Sequence, residues 1–516
     1  MERENNQEFF LESTKPISGE LLRLKEEILK YALDYGLDFY DVIFEVCDYE
    51  TINVLAAHGG FPNRYPHWRF GMEYDQLYKG YAYGLQKIYE MVVNTNPCYA
   101  YLLNVNNIVD QKIVMAHVYG HADFFKNNYW FASSDRNMMD VMANHGTKIR
   151  RYSDRYGQDK VEEFIDRVLS LENLLDVNIL FERGLGKKGN RNNKNGDKEK
   201  DLEGERQDEG MSSALKSFMS SKDRDDRRKK DASKPKEDEA PPKISEKIEK
   251  NYRDIMLFLL ENAPIEEWQA DIIGILREEA YYYLPQRLTK IMNEGWASYW
   301  HSTIMTQKAL RSSEIVDFAD HHAGVMAMSR KQLNPYKIGL ELFRDIEYRW
   351  NSGRFGKEYN DCTDMRMLEE WDKKLGLGRE KIFEVRKSHN DITFIDEFFT
   401  KDFCERQKIF TYTFNPNTGR NEITSRDFEV IKAKLLSQLT NYGTPVIEIE
   451  KANFANRGEL LLRHKHNGVE LDLQMASETM KNIFFIWKRP INLVTISEGR
   501  EAYFVHDGKE FKTLKM

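Results

Sequence analysis

The sequence predicts a mainly α-helical protein: a large helical domain interrupted by a disordered charged insertion, followed by a small β-rich, α+β C-terminal domain. Three observations predict it. Apolar residues recur at three- and four-residue steps over most of the chain up to about Leu375. Residues 185–249 are dense in mixed charge and hold Phe218 as their only aromatic. Beyond about Asp391 the texture changes to short β-branched and aromatic runs. The expected boundaries are 1–184 and 250–390 for the two halves of the helical domain, 185–249 for the insertion, and 391–516 for the β-rich domain.

From Leu21 to about Leu180, LLRLKEEILKYALDYGLDFYDVIFEV and DQLYKGYAYGLQKIYEMVV read as core helices. Between them, AAHGGFPNRYPHWRFGMEY carries glycine, proline and aromatics in an irregular order, as an ordered loop packed on the domain does. The insertion cannot bury enough apolar surface to offset its ordering entropy, so it reads as a solvated linker; MSSALKSFM within it is a candidate transient helix. Helical periodicity returns at NYRDIMLFLLENA, EEWQADIIGILREEAYYYL and PQRLTKIMNEGWASYWHSTIM, with the proline placed in the first turn of the third helix. In the C-terminal part, FTYTF, PVIEIEKANF, INLVTI and REAYFV read as strands and FEVIKAKLLSQLTNYG as a helix. HNG and HDGKEF are hairpin signals.

With 516 residues, the chain allows two to four structural units at roughly 150 residues each, and 41% hydrophobic residues are ample for a core. The formal net charge of −8 gives no global attraction to phosphate backbones, so nucleic acid is not an expected partner. The N-terminus lacks the basic start, apolar stretch and cleavage site of a secretory signal, and no apolar run approaches the roughly 20 residues that span a bilayer. Cys47, Cys98, Cys362 and Cys404 are scattered without a CxxC pair, as in a reduced cytoplasmic protein. The expectation is a cytoplasmic chain with no integral membrane segment.

Two stretches carry the candidate chemistry. In AHVYGHADFF, His117 and His121 are four residues apart in a helical stretch, so their rings lie on one face and can converge on a cation. Asp123 points away unless the helix ends there, but it is a candidate to orient an imidazole. The plain alternative is a pair of core histidines. In MNEGWASYWH, Glu294 sits among apolar and aromatic neighbours, where an unpaired carboxylate is costly to bury, and His301 shares its face seven residues on. Here the alternative is a rim carboxylate and a surface histidine. His145, His321 and His322 are further candidates for a fourth ligand or an oxyanion donor.

Together the two stretches resemble the metal-binding helices of gluzincin-type metallopeptidases, where two histidines on one helix and a glutamate on another hold zinc. The resemblance implies a zincin-like domain with a divalent metal, zinc, on His117, His121 and Glu294. It departs at Val118, because the gluzincin motif has a general-base glutamate directly after the first histidine. Asp123, His301, Glu278 and Glu279 are the candidates to replace that base.

GGFPNRYPHWRFGMEY, AHVYGHADFFKNN, MANHGTKIRRY, TKIMNEGWASYWH, NPYKIGLELFRDIEYRWN and GRFG, in this order, resemble the landmarks of the SpoVR (stage V sporulation protein R) family. That resemblance spans both helical halves and implies a role in spore cortex formation or in stress and stationary-phase programmes. It also implies partnership with a PrkA-type serine kinase and a YeaH/YhbH-type protein. Three readings follow: a metal-dependent peptide or amide hydrolase, a non-catalytic scaffold with a structural metal or polar cluster, and a dimetal redox site. The last lacks the paired ExxH motifs of ferritin-like bundles.

Overall fold

A computed structural model describes residues 14–82, 90–179, 252–327, 333–416 and 418–514. The charged insertion and MSSALKSFM lie outside the described residues. In chain order the principal helices are α1 (Gly19–Asp34), α2 (Tyr49–Ala57), α3 (Trp68–Ala82), α4 (Ile108–Asn127), α5 (Met138–Tyr156), α6 (Gln158–Leu169), α7 (Ile255–Asn262), α8 (Glu267–Leu288) and α9 (Lys290–Ile304). They continue as α10 (Ile315–Val325), α11 (Pro335–Ser352), α12 (Gly378–Ser388), α13 (Asp391–Phe398), α14 (Lys401–Arg406), α15 (Phe428–Leu439) and α16 (Leu473–Trp487). The strands are β1 (Thr14–Pro16), β2 (Val42–Cys47), β3 (Glu90–Val93), β4 (Cys98–Leu103), β5 (Thr411–Asn415), β6 (Arg420–Ser425), β7 (Ile447–Phe454), β8 (Glu459–His464), β9 (Ile491–Ser497), β10 (Arg500–His506) and β11 (Phe511–Leu514). The chain is mainly helical with a β-rich C-terminal region, as expected.

By contacts the chain forms two compact units, residues 1–150 with 282–443, and residues 151–281 with 444–516. Residues 391–443 thus cluster with the first unit, and the β-rich tail clusters with helices from the middle of the chain.

In the first unit, the N-terminal stretch read as all helical contains a four-stranded sheet of order β1-β2-β4-β3. The long helix expected from Leu21 through VIFEV ends at Asp34. Gly36 takes a left-handed φ of 88°, a conformation that stops a helix. The β-branched run that follows pairs parallel with β4 from Val42–Cys98 to Cys47–Leu103. β3 pairs antiparallel with β4 and is an edge strand, as β1 is on the other side.

α4 packs in the core of this unit beside the sheet, with every residue from Val109 to Phe125 buried. The Asn107 side chain caps its start, accepting from the Asp110 N–H at 2.8 Å. A helix buried all round has no face to spare for unsatisfied polar groups. α9 is nearly as buried and crosses α4 where Gly120 faces Ala297; a Cβ on Gly120 would stand 2.6 Å from the Ala297 Cα. On its other side, Gly295 of α9 meets Gly339 of α11, again backbone against backbone. Trp296 and Trp300 are fully buried in the same core.

The helix expected to start at Pro285 starts later. Pro285 lies inside α8, and the break falls at Thr289, whose hydroxyl donates to the Pro285 carbonyl at 2.7 Å. Asp391 then fixes the start of α9: Oδ2 accepts from Ile291 N at 2.8 Å and Oδ1 from Met292 N at 2.9 Å.

The second unit holds a five-stranded sheet of order β11-β10-β9-β8-β7, antiparallel except for the parallel β8–β9 pair. HDGKEF forms the expected hairpin between β10 and β11. HNG is a turn, but no strand follows it. Asp472 caps α16 instead, accepting from Gln474 N at 2.9 Å and Met475 N at 3.1 Å. The crossover that a parallel β8–β9 pair needs is this helix, which strand-by-strand reading passed over.

Candidate metal centre

α4 carries five charged or imidazole side chains through a buried environment, and three of them pair with groups other than Glu294. Lys112 Nζ pairs with Glu314 Oε2 at 2.8 Å and donates to the Ala309 carbonyl at 3.0 Å. Asp110 Oδ1 lies 2.8 Å from His321 Nδ1. Asp123 accepts from Asp38 N at 2.8 Å, Trp296 Nε1 at 2.7 Å and Arg386 Nη1 at 3.0 Å. Burial pushes its carboxyl up to about 6, although Arg386 and the two N–H donors act in the opposite direction.

The remaining two, His117 and His121, face Glu294 of α9. Their rings meet edge to face with centroids 4.5 Å apart. Glu294 Oε2 stands 3.6 Å from His117 Nε2 and 3.5 Å from His121 Nε2, and the three ligand atoms all lie within 4.8 Å of one another. Four-coordinate zinc with nitrogen and oxygen donors at about 2.0–2.1 Å sets neighbouring donors about 3.3–3.4 Å apart. The spacing therefore suits one cation at the centre and is long for direct hydrogen bonds. Burial alone would raise the Glu294 carboxyl, but the two imidazoles reverse this and hold it well below the usual carboxylate range.

Neighbouring groups fix the rings. The Asn293 Oδ1 lies 2.9 Å from His121 Nδ1, and in this orientation of the amide the ring proton sits on Nδ1 and the lone pair of Nε2 points toward Glu294. His117 Nδ1 lies 2.9 Å from His301 Nδ1, and His301 Nε2 lies 3.3 Å from His322 Nδ1. Burial, and then the neighbouring His117 and His322, lower the His301 pKa well below the ordinary histidine value, so this ring is neutral. If His117 Nε2 is a ligand, every tautomer along this line follows: His117 donates from Nδ1 to His301, and His301 from Nε2 to His322.

Beside the centre is a cavity of about 390 Å³. His121, Asn293 and Glu294 form one wall, Met91 and Val92 of β3 with Phe125 an apolar one, and Tyr283, Gln286, Arg287, Lys290 and Tyr336 the remainder. Tyr336 also stacks on His117, with centroids 6.2 Å apart and planes at 26°.

Of the sequence-predicted residues, the structure brings His117, His121 and Glu294 together and places His301 directly behind His117. It does not bring Asp123 to the site. Two residues beyond His121 is about 200° around the helix, and the carboxylate is locked to Trp296 and Arg386 on the far side. Glu278 and Glu279 belong to the other compact unit. His321 pairs with Asp110, while His145 is buried in α5 and does not line the cavity. Val118, where the gluzincin base would stand, is fully buried. Sequence reading passed over Asn293 and Tyr336, and did not join Glu294 with Tyr283, Gln286, Arg287 and Lys290 as one helical run. Its steps of three and four residues were the available signal.

A mainly helical protein with a His–His–Glu cluster on two crossing helices is thus the class that fold and site define. The chain belongs to the SpoVR family: the family model described as SpoVR like protein matches residues 17–444, and the SpoVR-like C-terminal domain matches residues 445–498. The boundary between these two falls beside the 443/444 division of the compact units. The chain is also similar to a protein of Escherichia coli (strain K12) called uncharacterized protein YcgB, with 28% identity over 485 residues, covering 89% of each chain. No solved structure matches. Among the described residues no helix is long and apolar enough to cross a membrane.

Proposed function

We propose that this protein is a zinc-binding, zincin-like member of its family that hydrolyses a peptide or amide bond in spore cortex, cell-wall or stress programmes. The observation that carries the reading is the placement of Glu294 Oε2 at 3.6 and 3.5 Å from the two imidazole Nε2 atoms, with a cavity alongside. Two neutral nitrogens and one carboxylate are the donor set of open, catalytic zinc sites. Zinc held there supplies Lewis acidity and lowers the pKa of water at the fourth position.

The chain's own residues do the positioning. Asn293 orients His121, His301 orients His117, and Tyr283 and Tyr336 bring phenol groups to the cavity wall. The edge strand β3 lends Met91 and Val92, and an edge strand offers main-chain groups to an extended peptide. The protein acts in the cytoplasm, on a precursor, a peptide or a regulatory target, alongside a PrkA-type kinase and a YeaH/YhbH-type protein.

A second reading, a non-catalytic scaffold whose metal holds α4 against α9, is favoured by Val118 and by Asp123 being locked away from the cavity. The two separate in one series. Untagged protein is analysed for metal alongside the His117→Ala/His121→Ala variant. Near-stoichiometric zinc, lost in the variant, is expected. Metal-dependent cleavage of peptide or amide substrates then supports hydrolysis. Bound zinc with no cleavage across such substrates leaves the scaffold, and absence of zinc from the native protein overturns both metal readings.

A further inference from the structure

The cavity beside the His–His–Glu cluster has a marked charge asymmetry. Tyr283, Gln286, Arg287, Lys290, Asn293 and Glu294 follow one another at helical steps from the end of α8 into α9, and all six line it. Two of them are cationic, and among the described lining residues Glu294 is the only carboxylate. With a divalent cation on two neutral imidazoles and Glu294, the centre itself would carry one net positive charge, and Arg287 and Lys290 line the same cavity. A cleft of one sign with partly apolar walls concentrates ligands of the other sign. A guanidinium also presents a planar fork suited to carboxylate or phosphate oxygens.

Resting on the metal-centre reading above, we infer that this cavity takes a small anionic ligand, a carboxylate or phosphate bound at the metal end and steadied by Arg287 and Lys290. Its uncharged part lies against Met91, Val92 and Phe125. A volume of about 390 Å³ is at the small end of ligand pockets, which run from about 300 Å³ upward, so the part of the ligand seated here is a short peptide end or a metabolite-sized anion.

The test uses full-length protein loaded with cobalt(II), whose visible bands report changes at the metal. Acetate and inorganic phosphate are titrated as anionic probes, with acetamide as the uncharged counterpart of acetate. The expected result is a saturable spectral change with at least one anion and none with acetamide. The apparent affinity should be at least about tenfold weaker in Lys290→Gln and weaker again in Arg287→Gln/Lys290→Gln. Cobalt content and the far-ultraviolet circular dichroism of the variants should match the parent. A response to acetate alone identifies a carboxylate ligand, and one to phosphate alone a phosphate ligand. No saturable change with either anion, an equal response to acetamide, or affinities unchanged in both variants would overturn the inference while leaving the metal centre standing. Failure to take up cobalt sinks the metal centre itself.

Discussion

Two polar clusters, one in each compact unit, are each built round a carboxylate and differ in closure. In the second unit, Asp254 is the centre of a closed set. Oδ2 accepts from Arg277 Nε at 2.8 Å and from the Tyr281 hydroxyl at 2.7 Å, and Oδ1 caps α7 through Leu257 N at 2.8 Å. Each oxygen has hydrogen-bonded partners at ordinary length, and the charges of Asp254 and Arg277 cancel. In the first unit, Glu294 is half-buried with its Oε2 turned inward, and that oxygen has two nitrogen neighbours at 3.5–3.6 Å, beyond hydrogen-bond length. Buried carboxylates are tolerated when a cation or a full set of donors meets them. Closure at Asp254 marks a structural device, and the open spacing at Glu294 is what the proposed metal site rests on.

The largest expected effects test that contrast directly. Arg277→Leu leaves Asp254 buried without its cation and should cost about 3–5 kcal/mol of stability, read by chemical denaturation, with metal content unchanged. Glu294→Gln should do the converse. Bound zinc and the zinc-dependent rise in Tm disappear, a stabilisation of about 4 kcal/mol at free metal near 1,000 times Kd. If Arg277→Leu abolished metal binding while Glu294→Gln preserved it, the assignment of structural and functional clusters would be inverted.

Asp391 is an intermediate case. Both oxygens are used, but by backbone N–H groups at the start of α9, and burial pushes its carboxyl up to about 7 despite those donors. An unfolded aspartate titrates near 3.9, so between about pH 4 and 7 the folded chain holds the extra proton. Stability is therefore fully present below that window and falls as pH rises through it, by up to about 4 kcal/mol, before levelling off. Asp391→Asn should flatten this slope in pH-dependent denaturation; an unchanged slope would remove Asp391 as its source.

The glycine crossings predict a smaller change. Gly120→Ala places a methyl against the Ala297 backbone and should cost about 1–3 kcal/mol, with weaker zinc binding because α4 and α9 are pushed apart. Stability and affinity equal to the parent would mean that the crossing is loose.

How much of this was legible in the sequence depended on whether the signal was local. His117 and His121 could be read because a four-residue step fixes their common face, and Glu294 because a carboxylate among Trp296, Tyr299 and Trp300 needs a partner. The direction of Asp123 followed from the same helical step, yet its partners Asp38, Trp296 and Arg386 are far apart in sequence, so its structural role did not. VIFEVC was absorbed into a helical reading because its stop, Gly36, lies several residues earlier, and the pairing that makes it a strand is with Cys98–Leu103. Gly120, Gly295 and Gly339 lie inside helical runs, and what each meets is set by tertiary crossing alone, so nothing local marked them.

The most local change is the one that most sharpens the comparison. Asn293 touches the cluster only through His121 Nδ1, so it cannot be a ligand by that contact and acts by fixing which ring nitrogen carries the proton. Asn293→Ala removes that instruction while leaving all three ligand atoms in the chain. Loss of an orienting partner of this kind costs about 10–100-fold in metal affinity, or about 1.4–2.7 kcal/mol. Competition with a chromogenic chelator reads it, and Asn293→Asp, which keeps an acceptor toward Nδ1, should recover most of the affinity. A closed structural cluster would show the reverse pattern, losing stability in Asn293→Ala with no change in metal binding, because its histidines would need Asn293 only as one more hydrogen-bond partner.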